Sequence, residues 1–135
     1  MTLFLVRHGR TLGTPPADEL DPAGFDDVWA LRDRLPQGAA WFSAPEPAAV
    51  ATCQLLTESE AGILPGLRAP GSDEAAAVVG DRVVGTVREL LAQEAGRDVV
   101  LVGYAEAWVA LAGEAARRLG TPGVLTLDEP LGSAR

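Results

Sequence analysis

Two of the three basic residue types are nearly or wholly missing from this chain of 135 residues. His8 is the only histidine, and every one of the eleven cationic Lys or Arg positions is an arginine. Without lysine there is no Schiff base, no pyridoxal phosphate linkage and no phosphate-binding loop built on a lysine. One histidine excludes a multi-histidine metal centre and a two-histidine relay. We therefore expect no metal and no cofactor, and any imidazole chemistry depends on His8.

Cysteine and long apolar runs are also scarce. Cys53 is the single cysteine, which excludes an internal disulfide and fits a reducing cytoplasm. It shares a helical phase with Val50 and Leu56, which predicts a buried core thiol. No apolar run approaches the roughly 20 residues that cross a bilayer, and the segment ending at Val6 lacks the charged start and the length of a signal peptide. The sequence predicts a cytoplasmic protein with no membrane partner.

Positive charge is outweighed throughout. The formal net charge of -8 at pH 7 opposes contact with nucleic acid and with anionic membranes, so no nucleic-acid partner is expected. A mass of 14.0 kDa with 47% hydrophobic residues is enough for one core and too small for two. Residues 1–135 are therefore expected to form a single domain, and the oligomeric state stays open.

What the chain does contain is an alternation of strand-like and helix-like segments. The strand-like segments are 1–6, 39–43, 97–104 and 124–127. Between them run apolar stripes at helical spacing: Phe25, Val28, Leu31 and Leu35; Val79, Val83, Val87 and Leu90; Trp108, Leu111, Ala112, Ala115 and Leu119. This pattern predicts an α/β fold, a three-layer α/β/α sandwich with a largely parallel central sheet.

Start and stop signals bound the predicted helices. Asp21 followed by Pro22 is a helix start, and Ser72 is placed to cap the long helix that Gly96 ends. The last stripe is expected to form one helix, closed by Gly120 and a proline. Trp29, Trp41 and Trp108 match core stripes, so packing is their expected role. The loop from Leu12 to Leu20 and the tail from Asp128 are expected to be mobile.

The most informative motif closes the first strand. Arg7-His8-Gly9, with Thr11 two residues later, resembles the signature of the histidine phosphatase superfamily, the phosphoglycerate-mutase-like clan. The resemblance implies that His8 accepts a phosphoryl group while Arg7 helps to hold it. A neutral imidazole attacks phosphorus, and the phosphohistidine that forms is labile enough for water to break.

The resemblance extends along most of the chain. Residues 20–25 look like the entry to the family's first helix, and residues 44–52 look like its Ser-Pro-x-x-Arg-x-x-x-Thr segment, with Pro45 and Thr52 in place. In length and layout the chain is most similar to the short phosphohistidine-phosphatase branch. The resemblance implies a histidine-phosphatase-like fold.

Three positions depart from that family pattern. Ala48 stands where the second phosphate-holding arginine belongs, and Tyr104 stands where the second histidine belongs. Residues 62–70, where larger relatives insert a glutamate general acid, hold no carboxylate. Because phosphoryl transfer depends on positioning and charge stabilisation, these losses imply an incomplete phosphate pocket.

The candidate site lies where strands end. Ligands of open α/β sheets collect at the carboxyl ends of the strands, and His8, Ser43 and Tyr104 all fall at such ends. His8 and Tyr104 are the candidate catalytic residues. The candidate substrate-binding residues are Arg7, Gly9, Arg10, Thr11, Ser43 and Glu106. Two alternatives stay open: Arg10 as a solvated loop charge, and Glu106 as a first-turn residue favoured by the helix dipole.

Three functions are compatible with this pattern. The one we favour is a repurposed enzyme that acts on a small molecule, which can be anionic. His8 would supply the acid–base chemistry and Tyr104 would donate a hydrogen bond. The second is a weakened phosphohydrolase working through phospho-His8, with Arg10 or Arg68 replacing the missing arginine. The third is a non-catalytic binding or regulatory domain. The sequence does not identify the substrate or the pathway.

Overall fold

The fold is organised around one five-stranded sheet. A computed structural model describes residues 2–13 and 19–128. Most of the loop and all but the first residue of the tail that the sequence predicts to be mobile lie outside these ranges. The strands are β1 Leu3–Arg7, β2 Ala40–Ser43, β3 Gly62–Ile63, β4 Val99–Gly103 and β5 Gly123–Leu127. Their order in the sheet is β3-β2-β4-β1-β5.

The centre of the sheet is formed by β1 and β4. They pair in parallel with Arg7 opposite Gly103, and β5 pairs antiparallel with the other edge of β1. All five residues of β4 are buried, which requires cover on both faces of the sheet. The predicted α/β class with a largely parallel sheet is confirmed.

The helices form two groups. The first helix packs against the second, and the third packs against the fourth, which in turn contacts the fifth. Their bounds are α1 Phe25–Trp29, α2 Pro47–Leu56, α3 Ala76–Gln93, α4 Ala105–Ala112 and α5 Glu114–Arg117. The valine stripe of α3 is buried as predicted, along with Leu90. None of the described helices is long and apolar enough to span a membrane.

Two predicted helix boundaries are wrong. Ser72 does not cap α3, which begins three residues beyond Asp73, at Ala76, without a side-chain cap. The last apolar stripe is not one helix, because the chain breaks at Gly113, whose φ of 60° is a left-handed conformation that glycine adopts readily. By contrast, the carboxylate of Asp21 accepts the Ala23 N–H at 2.9 Å, as a helix start requires; the turn that follows is a 3-10 turn that leads into α1.

Two aromatic residues assigned to the core lie at the surface. Phe25 is 38% exposed and Trp29 is 56% exposed. The Trp29 ring instead lies under the guanidinium of Arg32, with Cζ 4.3 Å from the ring centroid, a cation–π contact compatible with water. Helical spacing correctly predicted that Val28 and Leu31 are buried. It wrongly predicted that Phe25, the first residue of the stripe, is buried as well.

Candidate functional site at the ends of β1 and β4

His8 follows β1 directly and is held by its own backbone. Its N–H donates to the Gly103 carbonyl at 3.0 Å, and the side chain is 5% exposed. Nδ1 lies 2.7 Å from the Gly9 carbonyl oxygen. Since a carbonyl oxygen only accepts, Nδ1 carries the proton and the lone pair of the neutral ring is on Nε2. Nε2 is therefore the atom available as base or nucleophile.

Tyr104 lies against His8. It follows β4 directly, and because β1 and β4 run in parallel with Arg7 opposite Gly103, the residue after each strand end is brought to the same place. The two ring centroids are 4.6 Å apart at an interplanar angle of 57°. Tyr104 is 4% exposed. The structure thus brings together the two residues that the sequence nominated as catalytic.

A hydrogen-bonded chain fixes the turn beneath His8. The Gly9 N–H donates to the Thr52 hydroxyl at 3.0 Å, and that hydroxyl donates to the Ala48 carbonyl at 2.7 Å. A Cβ on Gly9 would lie 2.6 Å from Val28 Cγ2, so only glycine fits the turn. Ala48 is fully buried one turn before Thr52. Since alanine stands there, this turn of α2 carries no guanidinium group.

Arg7 faces a cavity of about 490 Å³. Its Nη1 donates to the Leu119 carbonyl at 2.8 Å, and its Nε is buried without a hydrogen-bond partner among the described residues. The cavity is lined by Arg7, Pro70, Glu74, Ala76, Val79, Gly80, Ala105, Glu106, Val109, Ala110 and Arg117. His8 is not one of its lining residues, although its chain neighbour Arg7 and Tyr104's neighbour Ala105 are.

One wall of the cavity is held by an ion pair that the sequence analysis missed. Arg82 on α3 donates to both oxygens of Glu74, at 2.9 and 2.8 Å. The Arg82 guanidinium, together with the Gly71 N–H, lowers the pKa of Glu74 from 4.5 to about 2. Glu74 is therefore ionised at neutral pH and is no substitute for the missing general acid. The sequence gives no signal for this pair, because a helix capped at Ser72 would place Glu74 inside its first turn and out of reach of Arg82.

Several predicted site residues lie away from this cavity. Arg10 pairs with Asp27 on α1 at 3.7 Å, both exposed, so it does not join Arg7. The Thr11 hydroxyl donates to the Gly13 carbonyl at 3.4 Å. Ser43 is fully buried, donates to the Ala44 carbonyl at 2.8 Å and borders a different cavity. The side chains of Arg10, Thr11 and Ser43 thus each contact a local partner of their own, and none of the three lines the cavity beside Arg7.

The remaining candidates divide in the same way. Glu106 lies in the first turn of α4 and lines the cavity beside Arg7. Arg68 pairs with Glu74 at 3.6 Å and does not line the cavity. Arg117, which the sequence analysis did not single out, does line it and is paired with Glu114 on the same helix. Within residues 2–13 and 19–128, no group of His, Cys, Asp and Glu side chains could hold a metal ion.

The strand order, the mostly parallel sheet and the Arg-His-Gly turn at the end of β1 define an α/β protein with the histidine-phosphatase fold. Solved structures similar to it belong to the histidine phosphatase superfamily. This confirms the fold that the motif at His8 predicted. The sequence itself matches no family model and no curated protein.

Three solved structures illustrate the likeness. Phosphoserine phosphatase of Entamoeba histolytica, solved with 3-phosphoglyceric acid, is 15% identical over 93% of this chain and 89% of its own, with a TM-score of 0.78. A mycobacterial glucosyl-3-phosphoglycerate phosphatase is 19% identical over 93% and 88%, with a TM-score of 0.76. Bacillus stearothermophilus YhfR is 18% identical over 84% and 78%, with a TM-score of 0.71. At these identities the likeness establishes the fold.

Proposed function

We propose that this chain is an enzyme of the histidine-phosphatase fold that acts on a small molecule by acid–base chemistry at His8. The observation that carries the proposal is the contact between the His8 and Tyr104 rings, 4.6 Å apart, at the ends of two adjacent parallel strands. The Nδ1 contact to Gly9 leaves Nε2 to take or give a proton. Arg7 is the proposed anchor for an anionic group of the substrate.

Tyr104 sets this site apart from a phosphoryl-transfer site. A phenol donates a hydrogen bond but carries no positive charge at neutral pH, so it orients a carbonyl or hydroxyl rather than neutralising a phosphoryl group. Because Ala48 replaces the second phosphate-holding arginine of the family pattern, the site also lacks that cation. Losing one preorganised donor to a transition state typically costs about 2.7–4 kcal/mol, or about 10²–10³ in rate. Two such losses argue against efficient phosphatase activity.

A weakened phosphohydrolase is the second candidate. The same Nδ1 contact leaves Nε2 placed as a nucleophile, Arg7 is adjacent, and the Entamoeba histolytica and mycobacterial structures of this fold are phosphatases. Phosphoryl transfer would then proceed through phospho-His8, with water breaking the P–N bond. Arg10 is paired with Asp27 and Arg68 with Glu74, which weakens both as replacements for the missing arginine.

The two candidates are separated by aryl phosphate hydrolysis. We expect the native chain to turn over far more slowly than the ordinary enzyme value of about 10 s⁻¹. The double variant Ala48→Arg with Tyr104→His is expected to gain activity, and adding His8→Ala to it to abolish that gain. Single Ala48→Arg is the control for damage to folding. Turnover near 10 s⁻¹ in the native chain, abolished by His8→Ala, would establish the phosphatase instead.

A further inference from the structure

Trp108 is a fully buried residue of α4 that contacts both strand ends of the candidate site. Its indole Nε1–H donates to the Val6 carbonyl at 3.1 Å, and Val6 lies two residues before His8 in the chain. The backbone N–H of Trp108 donates to the Tyr104 carbonyl at 3.2 Å. One residue of α4 is therefore hydrogen-bonded both to β1 and to the residue that follows β4.

The ring of Trp108 also packs against the last residue of β4. A Cβ built on Gly103 would lie 2.9 Å from Trp108 Cζ2 and 3.3 Å from Cη2, which is too close for a close-packed interior. The Gly103 carbonyl accepts the His8 N–H, and Gly103 directly precedes Tyr104. The indole thus contacts the residue that links the two candidate catalytic positions, and glycine leaves it the room to do so.

The other described buried tryptophan shows that the indole bond of Trp108 is not a general demand of the core. A buried Trp N–H usually has a hydrogen-bond partner. Trp41 is 3% exposed, yet its Nε1 has no hydrogen-bond partner among the described residues. Trp108 therefore differs from Trp41 in one definite respect: its indole N–H is bonded to the strand that leads to His8.

We propose that Trp108 is a positioning residue that sets the separation of the His8 and Tyr104 rings by holding the ends of β1 and β4 together. It acts through the backbone of Val6 and Gly103. Its effect on catalysis rests on the proposed function, in which a misplacement of about 1 Å can cost about 10²-fold in rate. The separation of the two rings can be measured without any substrate.

The composition of the chain makes that separation measurable, because His8 is its only histidine and Tyr104 its only tyrosine. Nuclear magnetic resonance cross-relaxation between the two rings therefore needs no assignment. The tyrosine ring current also shifts the His8 Cε1–H signal, and Tyr104→Leu gives the position of that signal without this contribution. Both readouts report the placement of the pair and not the free energy of unfolding.

Trp108→Phe replaces the indole by a smaller ring that has no N–H donor. We expect this variant to lose most of the cross-relaxation between His8 and Tyr104, and its His8 signal to move towards the position found in Tyr104→Leu. Trp41→Phe is the matched control, since it makes the same change in a buried ring whose Nε1 has no bond to lose in the described part of the chain. It should leave both readouts unchanged.

A second pair of variants tests the contact from the side of β4. Gly103→Ala places a Cβ 2.9 Å from the indole and should displace the rings as Trp108→Phe does. Gly85→Ala on α3 is its control, because the new Cβ there meets open space. Circular dichroism checks that each variant is folded. If Trp108→Phe does not fold, Gly103→Ala decides the test.

The outcomes separate this inference from the proposed function. It is overturned if folded Trp108→Phe leaves the cross-relaxation and the His8 signal unchanged, or, where that variant does not fold, if Gly103→Ala leaves them unchanged. It is equally overturned if Trp41→Phe alters them as much as Trp108→Phe does, because loss of core volume would then explain the change. If His8 proves catalytically idle while both readouts respond as expected, the proposed function fails and the positioning of the pair stands.

Discussion

The hydroxyl of Thr52 accepts the N–H of Gly9 at 3.0 Å, and this bond ties helix α2 to the turn that carries His8. The same hydroxyl donates a hydrogen bond to the Ala48 carbonyl, so both its donor and its acceptor capacity are used. Gly9 is sealed on its other side by Val28 and Leu20. A side chain from another part of the sequence thus helps to hold the turn that presents His8.

Thr52→Val is expected to destabilise the chain by about 1–3 kcal/mol, because it leaves the buried Gly9 N–H without an acceptor. Thr52→Ser keeps the hydroxyl and should lose much less. Urea unfolding measures both, with Thr126→Val on the exposed side of β5 as a matched control. Equal stability of the Val and Ser variants would mean that the hydrogen bond contributes nothing to the fold.

Vanadate should bind only weakly, in the range of about 1 mM, which corresponds to about -4.1 kcal/mol. Arg7 alone offers one planar fork of donors, and Glu106 lines the same cavity. Calorimetric titration measures the affinity, with Arg88→Gln as the control for loss of a surface charge. Micromolar affinity that Arg7→Ala removes would show that a second arginine completes a phosphate clamp.

The ion pair of Glu74 with Arg82 gives the stability a defined pH dependence. Since the pKa of Glu74 is lowered from 4.5 to about 2, the unfolded chain binds this proton more readily than the folded one. The contribution is present above about pH 4.5 and is lost as the pH falls toward 2. Urea unfolding between these pH values should show a shallower decline in Glu74→Gln than in Glu89→Gln. Parallel declines would contradict the assignment.

Cys53 is expected to be inert in the folded protein. It is 1% exposed, and burial raises the pKa of its thiol from 9.0 to about 12, so almost no thiolate forms at pH 8. A colorimetric disulfide reagent should label it rapidly in denaturant and far more slowly in the native state. Similar rates in the two states would place the thiol at the surface.

The sequence predicted the pairing of His8 with Tyr104 because the relationship is simple: two apolar runs that end in parallel bring the next residues together. The buried stripe of α3 could also be predicted, because residues that recur with the 3.6-residue period of a helix lie on one face. Such features depend on local spacing and on one topological rule. They are therefore accessible without a structure.

The cavity was not accessible in that way. Its walls combine Val79 of α3 with Val109 of α4 and the 70–76 segment, a packing between distant elements that no local pattern encodes. The ion pair of Glu74 with Arg82 was not predictable either. A helix capped at Ser72 would hold Glu74 in its first turn, where it could not reach Arg82 eight positions later. The helix break at Gly113 is not visible in the sequence, because the apolar stripe continues across it. Residue spacing gives no information on its left-handed φ.

The most direct test of the proposed site uses the fact that His8 is the only histidine, so its ring signals in a nuclear magnetic resonance spectrum need no assignment. With ring-labelled protein, inorganic phosphate is added while the His8 Cε1–H signal and the Arg7 Nε–H signal are followed. We expect both signals to move with the same dose dependence, and the His8 response to disappear in Arg7→Gln but not in Arg88→Gln. If the Arg7 signal responds while His8 stays still, or if neither signal responds, His8 is not part of the working site.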